Sequence, residues 1–162
     1  MRVVLQRVKK SKVKVNNEVV SEIGVGLLAL VGIEKGDTEE VLNWVANKIV
    51  NMRIFEDNEG KMNLSVRDIQ GEILLVSQFT LAAYIKKGNR PSFTDAMEEN
   101  LAREYFDKFV SMVKNLYPSL KTGVFKAHME VELTNDGPVT IIIERHPKDT
   151  DSISQVKNNF EN

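Results

Sequence analysis

The sequence predicts a single α/β domain in which a mostly antiparallel, barrel-like β-sheet packs against two main helices. Short runs of β-branched residues between turn residues predict the strands, and two longer stretches carry apolar residues at helical spacing. The chain of 162 residues, 42% hydrophobic and 28% charged, has the size and composition of one ordinary globular domain. We expect that domain over residues 1–145, followed by a polar, flexible tail over residues 146–162.

Strands dominate the first third of the chain. A hairpin is expected where Lys12–Val15 and Val19–Ile23 flank the turn-forming pair Asn16-Asn17. The apolar run Leu27–Ile33 is too short for a typical helix and fits a strand that is buried on both faces. Val3–Val8 is expected to be another strand of the same sheet.

The first helix is expected after Asp37, which forms a capping-box pattern with Glu40 three residues later. Its apolar face has helical spacing and should pack on the sheet; it comprises Val41, Leu42, Val45, Ile49 and Met52. Short strands and loops should follow around a turn at residues 57–60. The buried strand Glu72–Val76 comes next.

The second helix is expected to begin near Asp95, with Glu98 as its capping partner, and to end before Pro118. Its apolar stripe is wide and should be well buried; it comprises Leu101, Ala102, Tyr105, Phe106, Phe109, Val110, Val113 and Leu116. The strand pattern returns after residue 122. A turn should separate Val131 and Leu133 from Val139–Ile143.

The overall composition excludes several kinds of site. The chain has no cysteine, which excludes disulfides, thiolate nucleophiles and cysteine-based zinc sites. Its two histidines lack the carboxylate spacing of a metal site, so neither a metal nor a cofactor is expected. No apolar run is long enough to span a membrane, and no signal-peptide pattern opens the chain. A cytoplasmic protein without membrane contact is therefore expected.

Two polar segments beside strand-like runs are the candidate sites. In the first, Ser77-Gln78-Phe79-Thr80, a hydroxyl nucleophile would need a nearby base, and the chain offers only His128 and His146. A Ser-His triad is not expected, and the hydroxyls could simply satisfy backbone groups at a strand end. In the second segment, Gly137-Pro138 is either an ordinary turn or, since proline permits a cis peptide, a device that fixes the direction of main-chain carbonyls.

A cationic loop follows the first segment. Lys86, Lys87 and Arg90 could contact phosphates, or they could belong to a solvated loop without a partner. The formal net charge of −1, from 22 basic and 23 acidic residues, does not by itself indicate nucleic-acid binding. The position of the loop just after Ser77–Thr80 favours RNA, because a substrate held there would leave its phosphodiester chain close by.

These motifs occur in an order that resembles the D-aminoacyl-tRNA deacylases. The resemblance runs from the first strand to about Ile143, and its number of ordered motifs makes it specific. The segments that carry it are Gln6–Val8, Gly24–Leu28, Arg53–Phe55, Gly60–Leu64, Ser77–Leu81, Arg90–Phe93 and Asn135–Thr140.

The resemblance implies a homodimeric hydrolase that cleaves the ester between a D-amino acid and tRNA. It implies a cis Gly137-Pro138 bond whose segment reaches the active site of the other subunit, where both carbonyls bind the α-amino group and exclude L-amino acids. Ser77, Gln78, Phe79 and Thr80 would form the opposite wall. The 2′-hydroxyl of the terminal adenosine would assist hydrolysis, with Thr80 as nucleophile the lesser alternative.

The resemblance also implies an adenosine pocket lined by Phe125 and Met129, and tRNA backbone contacts from Lys86, Lys87 and Arg90. Lys126 and His128 differ from the small or acidic residues expected between the pocket residues. Two alternatives remain open. A non-catalytic nucleic-acid-binding protein of the same fold would bind without hydrolysis, whereas a general acyl-ester hydrolase would need an activated Thr80 or Ser77.

Overall fold

The computed structural model describes residues 1–149. Most of the expected polar tail, residues 150–162, lies outside the described residues. The described chain forms eight β-strands, namely β1 Arg2–Val15, β2 Glu18–Ile23, β3 Gly26–Gly32, β4 Phe55–Glu56, β5 Met62–Leu64, β6 Glu72–Ser77, β7 Leu120–Thr122 and β8 Glu130–Glu144. It also forms two α-helices, α1 Glu39–Asn51 and α2 Glu99–Leu116. Neither helix is long and apolar enough to cross a membrane.

The long strand β1 organises the main sheet. It pairs antiparallel with β8 over most of its length, with β3 through residues 2–8 and with β2 through residues 11–15. The parallel strands β6 and β7 extend the sheet from β3. Lys121 donates from Nζ to the carbonyl of Glu22 at 2.6 Å, and Ser21 donates to the carbonyl of Thr122. These contacts join β7 to β2, so the sheet curls into the nearly closed barrel that the sequence predicted.

The predicted hairpin is confirmed, but its first strand is longer than expected. Asn16 and Asn17 have φ angles of 50° and 64°, which suit a tight hairpin turn. Val3–Val8 and Lys12–Val15 are not separate strands but belong to β1. Lys9 and Lys10 interrupt the apolar alternation between them. The backbone nevertheless continues, because β8 supplies partners on both sides of register shifts.

Strands β3 and β6 are buried on both faces, as predicted. One face packs with the helices in the larger core, which includes Leu27, Ala29, Val31, Ile73, Leu75, Leu42, Ile49, Phe106 and Phe109. The other face lies inside the barrel, in a smaller core of Val8, Val13, Ile23, Leu28, Leu74 and Val76. This double burial holds the carboxyl end of β6, where Ser77 lies, in a rigid frame.

Both helices begin later than the sequence predicted. The N-cap of α1 is Thr38, whose hydroxyl accepts from the backbone N–H of Val41 at 3.4 Å. Asp37 is not the cap, because its buried carboxylate accepts from the Met1 ammonium at 2.9 Å and the Glu34 amide at 2.8 Å. The predicted apolar face of α1 is otherwise confirmed, with Met52 just beyond its end.

The start of α2 is shifted because Asp95–Met97 is held by backbone hydrogen bonds to residues 33–35, around a β-bridge between Ala96 and Glu34. The backbone N–H of Met97 donates to the carbonyl of Ile33 at 3.1 Å, and that of Lys35 donates to the carbonyl of Asp95 at 2.9 Å. The helix begins at Glu99, with Glu98 as its N-cap. Its buried stripe is narrower than predicted, since Leu101 is 43% exposed, and its end before Pro118 is confirmed.

The expected turn at Gly137-Pro138 is not a chain reversal. Both halves of the segment belong to β8 and pair with β1, with Asn135 opposite Val8 and Thr140 opposite Gln6. Four residues of β8 therefore bulge out opposite one residue of β1. The segment is an outward bulge on a continuous strand.

Candidate active site

The segment Ser77–Thr80 turns away from the sheet where β6 ends. Ser77 is the last residue paired with β3, and the backbone N–H of Gln78 donates to the carbonyl of Val31 at 2.7 Å. A 3-10 turn over Phe79–Ala82 follows. A Cβ at Gly32 would lie 2.8 Å from the Leu81 Cβ, so glycine permits this close approach. The main chain of the segment is thus held against β3.

The side chains of this segment face different surroundings. Ser77 and Gln78 are half-buried, whereas Phe79 is 57% exposed and Thr80 is exposed. The side-chain amide of Gln78 donates to the hydroxyl oxygen of Thr80. Gln78 is therefore oriented by Thr80, and the Thr80 hydroxyl already has one polar partner.

Five of the predicted site residues, Ser77, Gln78, Phe79, Phe125 and Met129, line one cavity of about 490 Å³, and Thr80 is not part of its lining. Gln78 and Phe79 lie on one side, and Phe125 and Met129 come from the loop before β8. The full lining is Ile33, Val76, Ser77, Gln78, Phe79, Met97, Glu99, Ala102, Phe125, Lys126, Ala127, Met129 and Val131. The volume lies within the range of about 300–1,000 Å³ that is typical of small-molecule sites.

The aromatic wall of the cavity is supported from behind. The ring of Phe125 lies 6.0 Å from that of buried Phe106 on α2, and the Arg103 guanidinium carbon lies 4.6 Å from the Phe125 centroid. Lys126 has a φ of 66°, which turns the chain sharply after Phe125. A Cβ at Gly123 would lie 2.8 Å from the Met129 sulfur, so glycine leaves room for Met129.

Sequence reasoning missed an ion pair in the cavity lining. Lys126 Nζ lies 2.8 Å from a Glu99 carboxylate oxygen, and the two side chains are 64% and 47% exposed. Met97 and Ala102 were also not identified as lining residues. No local pattern marks a pair formed between the start of α2 and a loop 27 positions later in the sequence, because only the packing of α2 brings them together.

The cavity has no candidate general base of the histidine type. His128 and His146 are both exposed, and neither lines it. Among residues 1–149, no group of three or more His, Cys, Asp or Glu side chains could hold a metal ion. The polar side chains of this lining are therefore the Ser77 hydroxyl, the Gln78 amide and the Glu99–Lys126 ion pair.

The Gly137-Pro138 segment is exposed and firmly anchored at its base. The peptide bond is cis, and Gly137 has a φ of 136°. Asn135 accepts from the Val139 amide at 2.7 Å and donates to the Thr140 hydroxyl at 3.0 Å. Arg7 was not identified from the sequence as a contributor, yet it anchors the same segment.

The side chain of Arg7 bridges the segment to the loop after α1. Its Nε donates to the Asp136 carbonyl at 2.9 Å, and its Nη1 donates to the Ile54 carbonyl at 2.8 Å. Arg7 is only 5% exposed. A buried guanidinium that donates to two carbonyls fixes the direction of the bulge.

The two predicted segments do not meet within one chain. Gly137 lies opposite Arg7 on β1, whereas Gln78 contacts Val31, whose partner on β1 is Val3. Measured along the surface of the sheet, they are separated by three strand spacings and four residues, or roughly 20 Å at about 4.8 Å per strand and 3.3 Å per residue. A single chain therefore presents them at separate places.

The cationic loop lies beside the cavity and is closed at its base. Tyr84 and Ser92 exchange backbone hydrogen bonds of 2.7 and 3.0 Å, which bracket Lys86, Lys87 and Arg90. All three cationic side chains are exposed.

A larger open groove of about 1020 Å³ runs along α1 around Trp44. Its cations Lys48 and Arg145 lie 4.9 and 4.4 Å from the Trp44 ring centroid. The groove includes neither predicted segment. The smaller cavity is therefore the candidate active site.

The family model and the relatives that match this chain carry matching descriptions. The family model described as D-Tyr-tRNA(Tyr) deacylase matches residues 4–144. A D-aminoacyl-tRNA deacylase of Carboxydothermus hydrogenoformans is 56% identical over 144 residues, which cover 89% of this chain and 99% of the relative. One of Dictyoglomus turgidum is 54% identical over 144 residues, which cover 89% of this chain and 92% of the relative.

Solved structures share the fold. A structure described as the c-Myc DNA unwinding element binding protein superposes with a TM-score of 0.86 at 43% identity, covering 90% of this chain and 99% of the other. A probable eukaryotic D-amino acid tRNA deacylase superposes with a TM-score of 0.74 at 19% identity, covering 88% and 97%.

Proposed function

Because this chain belongs to the D-Tyr-tRNA(Tyr) deacylase family and is a hydrolase of the D-aminoacyl-tRNA ester bond, we propose which role each site residue has in that reaction. Water attacks the ester carbonyl carbon, and the bond from that carbon to the ribose oxygen breaks. Free D-amino acid and tRNA are released. The chain thereby removes the D-amino acid from wrongly charged tRNA during translation.

The terminal adenosine occupies the cavity against Phe125 and Met129. Its lining is apolar on this side, which suits a nucleobase, while the Gln78 amide and the nearby backbone provide polar contacts for the ribose and ester. The acyl group then lies at the end of β6. A hydrogen bond from the main-chain amide of Phe79 stabilises the oxyanion that forms on the ester carbonyl, since the amide of Gln78 is already bonded to the Val31 carbonyl.

A hydroxyl group of the RNA takes the role that a protein base has in other hydrolases. The single observation that carries this proposal is a cavity lined by Ser77, Gln78, Phe79, Phe125 and Met129 with neither histidine in its lining. The 2′-hydroxyl of the terminal ribose is adjacent to the scissile ester. Its proximity is built into the substrate, so it needs no positioning by the protein.

Chiral selection is carried out by Gly137 and Pro138 of a second copy of the chain. The exposure of the bulge and its distance of roughly 20 Å from Gln78 in the same chain support a contribution across a homodimer. The two carbonyls accept from the α-amino group of the substrate. Fixed acceptors read the configuration at Cα and ignore the side chain, so L-amino acids misplace the amino group.

The direct test compares D-tyrosyl-tRNA with L-tyrosyl-tRNA, with sedimentation equilibrium to measure the oligomeric state. We expect hydrolysis of the D-ester only, and a dimer at the assay concentration. Equal rates on both esters would contradict chiral selection. A monomer that retains full selectivity would contradict the contribution of a second copy.

A second candidate function is favoured by one observation, the 43% identity to a structure described as a DNA unwinding element binding protein. In that case the chain would bind nucleic acid in a salt-dependent manner, and Gly137→Ala would leave the binding unchanged. A general esterase activity would instead turn over small acyl esters without RNA. The same assays, run with single-stranded DNA and with a small D-tyrosine ester, separate these functions.

A further inference from the structure

Beside the cavity lies a group of four exposed apolar side chains, three of which have no part in the proposed reaction. We call Phe79, Tyr84, Ile85 and Phe93 the aromatic ledge; their exposed fractions are 57%, 39%, 72% and 36%. Three of the four are aromatic. Exposed aromatic groups on adjacent segments mark an interaction surface more often than isolated exposed aliphatic residues do.

The ledge is continuous with the cavity. Phe79 lines the cavity on one side, and its ring meets that of Phe93 edge to face, with centroids 5.3 Å apart and planes at 72°. A group that leaves the cavity past Phe79 therefore reaches the ring of Phe93 directly.

The backbone holds the ledge in place. Tyr84 and Ser92 are joined by two backbone hydrogen bonds, and the N–H of Ala83 donates to the carbonyl of Thr80 at 3.2 Å. The backbone N–H of Ala96 donates to the carbonyl of Phe93 at 3.1 Å. The surface is preformed, so a ligand has little backbone to order on binding.

The chain segment that carries the ledge has charges of one sign. Between Glu72 and Asp95 the sequence has three cations, Lys86, Lys87 and Arg90, and no acidic residue. None of the three forms an ion pair within residues 1–149. Unpaired cations beside exposed aromatic rings match an anionic ligand that has flat, apolar faces.

We propose that the aromatic ledge stacks the base of the nucleotide before the terminal adenosine, and that the loop cations contact its phosphates. This inference rests on the proposed placement of the adenosine in the cavity. Bases in single-stranded RNA are free to stack on aromatic side chains, and this contact tolerates any base. The ledge thus recognises the single-stranded 3′ end of tRNA without distinguishing which base is stacked.

A second copy of the chain fits this surface less well. A symmetric contact between two ledges would bring two cationic loops together, with six positive charges and no acidic residue from either loop. The charge pattern therefore favours RNA over self-association at this surface.

Fluorescence of 2-aminopurine tests the stacking directly. The probe is an RNA hairpin that imitates the acceptor stem, with 2-aminopurine immediately before a terminal adenosine. Binding to the full-length protein is expected to quench the fluorescence. Phe93→Ala should weaken the binding about ten-fold and abolish most of the quenching. Phe93→Tyr should retain both, and Val25→Ala, a change at a 55% exposed valine away from the cavity, should alter neither.

Activity provides a second measurement. The loss of kcat/KM in Phe93→Ala should be several-fold larger with D-tyrosyl-tRNA than with D-tyrosyl-adenosine, which lacks the stacked nucleotide. Unchanged quenching in Phe93→Ala would overturn the proposal. So would equal losses on both substrates, or a changed oligomeric state with unchanged quenching. Failure of the wild-type protein to hydrolyse either ester would contradict the proposed function alone, because the fluorescence measurement does not depend on turnover.

Discussion

The Nε of Arg7 donates to the carbonyl oxygen of Asp136 at 2.9 Å, immediately before Gly137. Arg7 lies on β1 and Asp136 on the bulge of β8, so this bond joins the frame of the sheet to the segment proposed to select the substrate. The second bond of Arg7, to the Ile54 carbonyl, adds a support from the loop after α1.

Arg7→Lys should impair selectivity and stability together. A lysine ammonium cannot reproduce the planar fork that reaches both carbonyls, so one buried acceptor loses its partner. We expect the free energy of unfolding to fall by about 1–3 kcal/mol. The ratio of D-ester to L-ester hydrolysis should also fall. Urea denaturation and paired deacylation assays measure the two effects.

Arg53→Lys is the matched control for this change. Arg53 also donates from Nε to a carbonyl, that of Asn63 at 2.9 Å, but this bond is exposed to solvent. Its loss should have little effect on either measurement. Equal effects of the two substitutions would refute a special role for Arg7.

Gly137→Ala should distort the bulge. A Cβ there would lie 2.8 Å from Val139 Cγ2 and 3.1 Å from Arg7 Nη2, and the φ of 136° is one that side chains rarely adopt. We expect a loss of about 1–3 kcal/mol in stability and a severe loss of D-ester hydrolysis.

Gly60→Ala controls for the backbone conformation alone. Gly60 has a φ of 76°, but a Cβ there would have no neighbour within 4 Å. We expect about 1 kcal/mol of destabilisation and unchanged hydrolysis. If Gly137→Ala behaved like Gly60→Ala in the deacylation assay, the bulge would not be part of the site.

Thr80→Val should retain substantial activity. This change removes the hydroxyl and keeps the shape, so activity within about ten-fold of wild type is expected if the RNA hydroxyl assists hydrolysis. A tRNA that ends in 2′-deoxyadenosine should react about 100-fold more slowly or worse. Single-turnover rates measure both. A large loss of activity in Thr80→Val, together with an unchanged rate on the tRNA that ends in 2′-deoxyadenosine, would identify Thr80 as the nucleophile.

Lys86→Ala/Lys87→Ala should reduce the salt dependence of tRNA binding. Each phosphate contact on a single strand contributes about 0.7 to the slope of log K against log salt, so the slope should decrease by about 1.4. Lys61→Ala/Lys114→Ala changes the net charge equally at positions away from the cavity, and it should leave the slope unchanged. Identical slopes for the two variants would show that the loop does not contact RNA.

Local patterns predicted the secondary structure better than its boundaries. The spacing of Val41, Leu42, Val45 and Ile49 correctly predicted a helix packed on the sheet. The start of α2 was wrong, because Asp95–Met97 pairs with the extended chain around Ile33, a contact with no local signature. The burial of Leu101 was overestimated, because the periodicity of a helix does not reveal how much of its surface the rest of the fold covers.

Only part of the candidate site could be predicted from local residue patterns. Ser77–Thr80 could be identified as a candidate because polar residues follow a buried run, whereas the roles of Phe125 and Met129 came from the family resemblance. Glu99, Lys126 and Arg7 were missed as contributors, because each acts on a residue far away in the sequence.

The amino-acid sequence by itself determined the class of fold, the two helices and the family to which the chain belongs, and it identified the two candidate site segments. These properties depend on residue types and on periods of a few residues. The tertiary structure alone decided that Phe79 and Phe125 share a cavity, that Gly137 projects on a bulge instead of closing a turn, and that Gln78 and Gly137 lie far apart in one chain. The reason is physical: the pairing of β1 with β8 and the packing of α2 join residues that are distant in sequence, and no local pattern records such contacts.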